Sequence, residues 1–187
     1  RLSASDLQEQ EVLANCKINI IQVQDTVAYP NYQSELTYLT TNEDRIDYLA
    51  GLFKDIAKDG NTLILVDRIK AGKMLQEKLG NESVFISGSV KSTDRRKQYS
   101  EVQEADNKII IATYGVASIG INIPRIFNLV LVEPGKSFIR VIQSIGRGIR
   151  RAQDKDFVSV WDITSSAKFS KRHLTKRKKF YAEAKYP

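Results

Sequence analysis

Gln143, Arg147 and Arg150 occupy positions i, i+4 and i+7 of the segment Gln143-Ser144-Ile145-Gly146-Arg147-Gly148-Ile149-Arg150. On a helix this spacing gathers one amide and two guanidiniums on a single face. Guanidiniums are permanently charged forks that grip phosphate oxygens in two places, so the face reads as a phosphate-facing site. Phe138, Ile142, Ile145 and Ile149 form an apolar stripe on roughly the opposite side. Gly146 and Gly148 each cost about 1 kcal/mol relative to Ala inside a helix. They make sense where another backbone or a ligand must come close. An isolated arginine pair would be read as the solvated face of an amphipathic helix; the Gly-Arg-Gly setting argues for phosphate.

A second segment, Ala112-Thr113-Tyr114-Gly115-Val116-Ala117-Ser118-Ile119-Gly120-Ile121-Asn122-Ile123-Pro124, follows a β-rich run. In a parallel sheet the loop leaving a strand's carboxyl end is where ligands bind. Thr113 offers a hydroxyl there, Gly115 and Gly120 permit close backbone approach, and Asn122 supplies an amide. On composition alone, a turn with a capping Asn fits this segment equally well.

The elements that must position these groups alternate. Asn42 can cap a helix burying Ile46, Leu49, Phe53 and Ile56, with Gly60 at its carboxyl end. Thr62–Val66, Ser83–Ser87, Lys108–Thr113, Asn128–Val132 and Phe157–Trp161 read as five core strands. Helices are expected near Ile69–Leu79 and Asp94–Glu104. Continuous apolar strands separated by helices predict an α/β domain, a parallel sheet covered on both faces. Residues 1–41 read as a connection from a preceding domain, with Ile18–Val23 and Leu36–Thr40 as strands around a turn at Tyr29-Pro30-Asn31. Residues 42–163 form the wound domain, and 164–187 a basic terminal helix or tail.

Charge is unevenly spread. Residues 1–162 hold 21 basic and 21 acidic side chains, so the net +7 resides in residues 163–187, where eight basic residues face Glu183 alone. A polyanion such as nucleic acid suits that segment through counterion release, with Lys176 and Arg177 as candidate contacts; a solubilising basic end accounts for it as well. Phe180 and Tyr181 are stacking candidates, whereas Trp161 reads as core and His173 as an ordinary polar residue. Asp67, Glu133 and Asp162 end strands and read as structural. No apolar run approaches the ~20 residues needed to cross a bilayer. One cysteine, Cys16, permits no internal disulfide, and one histidine leaves no zinc-type cluster. A reducing, cytoplasmic setting and no metal site of its own are expected.

Taken together, the two segments resemble motifs V and VI of the second RecA-like domain of superfamily 2 helicases, motif VI having the pattern Gln-x-x-Gly-Arg-x-x-Arg. Thr62–Asp67 lies where motif IV would, and Ser87-Gly88-Ser89 resembles the glycine-bearing loop after the next strand. The likeness spans residues 36–163. Gln rather than His opening motif VI, and the Tyr-Gly start of motif V, depart from DEAD-box RNA helicases. Ala-Thr-Tyr-Gly-Val, Gln-Ser-Ile-Gly-Arg and Val160-Trp161-Asp162 look more like phage recombination and repair helicases of the UvsW type.

The resemblance implies a RecA-like fold and a role for each matching position. Arg147 and Arg150 would reach the γ-phosphate of ATP, with Arg150 as the arginine finger. Gly120, Asn122 and Gln143 would belong to the same nucleotide site. Gly88, Ser89, Thr113 and Tyr114 would contact a nucleic-acid backbone. The implied partners are single-stranded or branched DNA and an N-terminal RecA-like domain of the same protein that binds most of the ATP and Mg2+. If the chain is phage-encoded, the setting is the host cytoplasm.

No Gly-x-x-x-x-Gly-Lys-Ser/Thr loop and no Asp-Glu-x-Asp/His segment occurs, and Ala71-Gly72-Lys73-Met74 lacks the first glycine and the hydroxyl residue. The only methionine is Met74, so the chain reads as a piece of something longer. With the phosphate-binding and magnesium-holding segments missing, it is expected to be the carboxyl half of a motor, inactive alone as an ATPase. The competing readings are an RNA helicase domain and a non-catalytic nucleic-acid-binding module that uses the basic tail.

Overall fold

The computed structural model describes residues 16–86, 107–118, 126–135, 138 and 158–183. Gly88, Ser89, Gly120, Asn122, Gln143, Arg147, Arg150 and the helix expected over Asp94–Glu104 lie outside these residues.

Among the described residues six strands form one all-parallel sheet: β1 (Cys16–Val23), β2 (Thr62–Val66), β3 (Ser83–Ile86), β4 (Ile109–Thr113), β5 (Asn128–Val132) and β6 (Val158–Ser165). Their spatial order is β1-β6-β5-β2-β4-β3. Among the described residues the α-helices are α1 (Tyr32–Thr41), α2 (Glu43–Ala57), α3 (Ile69–Leu79), the short α4 (Tyr114–Ser118) and α5 (Lys168–Glu183). The expected α/β fold is the observed one.

Period-2 alternation sends Ile64, Val66, Ile109, Ile111, Val130, Val132 and Ile163 to one face, where α2 and α3 bury them. Leu63, Leu65, Ile110, Ala112, Leu129, Leu131, Val158 and Val160 face the other way and pack with Val116 and Ala117 of α4. Burial on both sides is why these strands are apolar almost without interruption. Gly72 lies inside α3, where an added Cβ would stand 2.6 Å from the Phe85 ring. It is a packing glycine, placed so that α3 can lie against β3.

The structure corrects the reading of Leu36–Thr40 as a strand. Asn31 Oδ1 accepts the Ser34 N–H at 2.9 Å and starts a helix that runs to Thr41. Leu36, Leu39 and Thr40 recur at helical spacing on its buried side. The cap and the burial outweigh the β-branched threonines, whose hydroxyls bond back along the helix, Thr40 to the Leu36 carbonyl at 2.8 Å. Asn42 then serves two helices: its N–H bonds the Tyr38 carbonyl at 2.9 Å and its side chain caps α2 through Arg45 N at 3.0 Å. Residues 16–41, expected as a connection, supply β1 and α1 to the same sheet and covering layer. Residues 168–183 of the basic segment form α5, which packs on β6 and α1.

Candidate functional site

The carboxyl ends of β2, β4 and β5 lie side by side, with Val66 opposite Thr113. Thr113 is half-buried there. Its hydroxyl oxygen accepts the Val116 N–H at 3.3 Å, starting α4. Tyr114, expected at the nucleic-acid contact, is instead buried, and its hydroxyl donates to the Val132 carbonyl at 2.9 Å. Burial, followed by the charge of Asp162, holds its phenol well above the ordinary range. Its bond to Val132 ties β4 to β5, and the residue also lines the cavity beside α5.

Next to it, Glu133 follows β5 with a left-handed backbone, φ 45°, and is buried. Its carboxylate accepts from the Ser170 hydroxyl at 2.6 Å and lies 3.5 Å from the Arg45 guanidinium. Burial nevertheless pushes Glu133 up to about 7, against the opposing pull of Ser170 and Arg45. Arg45 also grips Asp25 at 3.1 Å and the Leu39 carbonyl at 2.8 Å. Glu35, from α1, accepts the Phe169 and Ser170 N–H groups at 3.0 and 2.8 Å. A carboxylate thus caps the start of α5, where unpaired N–H groups and the helix dipole favour negative charge.

Farther along α5, Arg177 requires a second correction. It is 1% exposed, and its guanidinium forks onto Asp162 through Nε at 2.7 Å and Nη2 at 2.9 Å. Burial lowers the guanidinium, but the bonds and charge of Asp162 outweigh it and hold Arg177 above its ordinary value. Tyr181 donates to the same carboxylate at 2.7 Å. No group of this trio is left for a nucleic-acid phosphate. Phe180 and Tyr181 are buried too, with ring centroids 5.1 and 5.8 Å from Phe138, so neither is a stacking platform. Lys176 remains exposed, as do Lys168, Lys171, Arg172, Lys178 and Lys179.

Between α5 and the sheet edge lies a cavity of about 970 Å3, lined by Tyr32, Asp67, Tyr114, Glu133, Pro134, Gly135 and α5 residues from Phe169 to Lys176. His173 meets Tyr32 edge-on with centroids 4.6 Å apart. Sequence reasoning passed over Tyr32, Arg45 and Ser170, which come from separate elements, and set His173 aside. The one local signal was Glu-Pro-Gly directly after an apolar strand.

Residues 44–152 match the family described as the helicase conserved C-terminal domain. The chain belongs to that family. Among relatives of this helicase domain, the ATP-dependent DNA helicase uvsW of Enterobacteria phage T4 is 29% identical over 193 residues, covering 96% of this chain and 38% of that protein. The crystal structure of T4 UvsW superposes with a TM-score of 0.79 at 25% identity, over 92% of this chain and 40% of that one. A putative ATP-dependent RNA helicase of Acanthamoeba polyphaga mimivirus is 29% identical over 84% of this chain and 30% of its own length. The C-terminal domain of the DEAD-box protein Dbp5, at 19% identity and TM-score 0.61 over 92% of this chain and 87% of that one, shares the fold. The chain therefore spans well under half of the T4 and mimivirus relatives.

The T4 relative is ATP-dependent, and ATP is commonly held with magnesium. Among the described residues no three His, Cys, Asp or Glu side chains converge on a metal position. Glu133 and Asp162 are engaged by Arg45, Ser170, Arg177 and Tyr181. The described residues do not fit the ion. No described helix is long and apolar enough to cross a membrane.

Proposed function

We propose that this domain is the C-terminal motor half of an ATP-dependent DNA helicase or translocase acting in recombination, repair or branch migration. The observation that carries it is the resemblance to the T4 DNA helicase over 96% of the chain, motifs V and VI included. Supporting it, Thr113 lies at the carboxyl edge of the sheet, and the exposed Arg172 and Lys176 of α5 border the cavity at that edge. In this reading Arg147 and Arg150 complete a nucleotide site whose ATP and Mg2+ are held mainly by an N-terminal RecA-like domain. Gly120, Asn122 and Gln143 support that site, while Gly88, Ser89, Thr113 and Lys176 grip the DNA backbone. Arg150, as arginine finger, stabilises charge on the transferring phosphoryl group.

The test has two parts. The 187-residue chain alone should show no appreciable ATP hydrolysis. Joined to a domain carrying the phosphate-binding loop, it should support DNA-stimulated turnover that falls about 10³-fold or more in Arg150→Ala. Robust turnover by the isolated chain, or an unchanged Arg150→Ala rate in the joined protein, defeats the reading. The mimivirus relative favours one second reading, an RNA helicase; stronger ATPase stimulation by RNA than by DNA of equal length would select it.

A further inference from the structure

From the walls of the cavity beside α5 we infer that it receives one nucleotide of single-stranded DNA, base inward and phosphate at the mouth. This rests on the nucleic-acid reading above and names a place for the strand.

Its size lies within the roughly 300–1,000 Å3 of small-ligand sites. Its walls combine rings and cations, the pairing that binds single strands without sequence preference. Tyr32, His173 and Phe169 supply rings, and Arg172, Thr175 and Lys176 supply phosphate donors. Arg172 and Lys176 are one helical turn apart and exposed, so a phosphate can be approached by both. Arg172 is steadied over the Phe169 ring, 5.6 Å from its centroid.

The floor is acidic: Glu133 is engaged by Arg45 and Ser170, but Asp67 meets Arg68 through Oδ2 at 2.7 Å while its Oδ1 is buried with no partner among the described residues. Burial and then the charges of Glu133 and Asp67 push the Tyr32 phenol up, so the phosphate is placed at the mouth beside Arg172 and Lys176, away from the floor. Tyr32 has its hydroxyl where a Cβ at position 135 would come within 2.9 Å. Gly135, at φ 61°, keeps the ring seated and the cavity open.

Cations acting only as a diffuse field would contribute alike along α5. The cavity instead ranks them: Arg172 and Lys176 border it, while Lys178 and Lys179 on the same helix do not.

The test is fluorescence anisotropy of the 187-residue chain with a thymidine oligomer of about 15 nucleotides and with an abasic strand of the same length. Tyr32→Ala should weaken binding to the thymidine strand about tenfold, within the range of base–aromatic stacking, and leave the abasic strand unchanged. Tyr32→Phe, which keeps the ring, should retain binding within about twofold and shows that the fold tolerates the site being changed. Lys176→Ala should weaken both strands and lower the salt slope by about one, more than Lys178→Ala does. Equal losses on the two strands for Tyr32→Ala, no loss at all, or equal effects of Lys176→Ala and Lys178→Ala overturn the assignment while leaving the motor reading intact. A wild-type chain that binds neither strand removes this inference together with the DNA contacts proposed above.

Discussion

Strands β2 and β4 are apolar at nearly every position, whereas β6, two places from β2 and three from β4 in the same sheet, buries Asp162, Thr164 and Ser165. The first region is held by burial, which has no direction and rewards any close fit. The second is held by hydrogen bonds and charge pairs that work at one geometry only: Asp162 with Arg177 and Tyr181, Glu133 with Ser170 and Arg45, Glu35 with the start of α5. Moving charges out of water costs several kcal/mol per ion and is offset only by good geometry. The polar region therefore fixes where α5 lies, and with it the basic face and the cavity that α5 borders. One half of the sheet makes the domain stable; the other decides what its surface presents.

The contrast can be broken most forcefully at Arg177. Arg177→Ala leaves Asp162, itself 0% exposed, without its cation and should cost about 3–5 kcal/mol in urea unfolding. Replacing Arg177 by Met, Asp162 by Leu and Tyr181 by Phe together should recover most of that loss, because no charge is then stranded. If the single change proves harmless, the polar half is not what holds α5.

Glu133 gives a pH-dependent test. Its folded value, about 7, lies above the ordinary 4.5, so the folded state holds a proton that the unfolded state has lost between those values. Its contribution is fully present below the unfolded value and disappears as pH rises through about 7. The urea midpoint of the wild type should fall relative to Glu133→Gln across that window. Parallel pH profiles would show that Glu133 does not titrate there.

In the apolar half, Ile64→Val removes one buried methylene and should cost about 0.5–1.5 kcal/mol with no change in pH profile. Smallest of all, Lys178→Ala on the exposed side of α5 should stay within about 0.5 kcal/mol by thermal unfolding.

The same contrast explains what could be read in advance. Thr62–Val66, Asn128–Val132 and the helix at Ile69–Leu79 were legible because an unbroken apolar run or a helical stripe is local information. Leu36–Thr40 was misread because its threonines favour a strand locally, while the cap at Asn31 and burial against α2 act from outside the run. Arg177 looked like one more cation in a basic tail, since nothing near it in sequence announces that Asp162 waits beneath. The motif places Tyr114 on the ligand side but does not announce that its hydroxyl bonds the Val132 carbonyl of β5.

The sequence by itself determined the alternation of strands and helices, the parallel sheet, the family and the concentration of positive charge in the last residues, because each is written in neighbouring positions. Only the tertiary structure decided which of those charges are buried and which stay outside. It alone joined Tyr32, Gly135 and His173 into one wall and turned Glu133 and Arg45 toward each other. Those pairings link residues far apart along the chain, and the desolvation that enforces them exists only once the elements have packed.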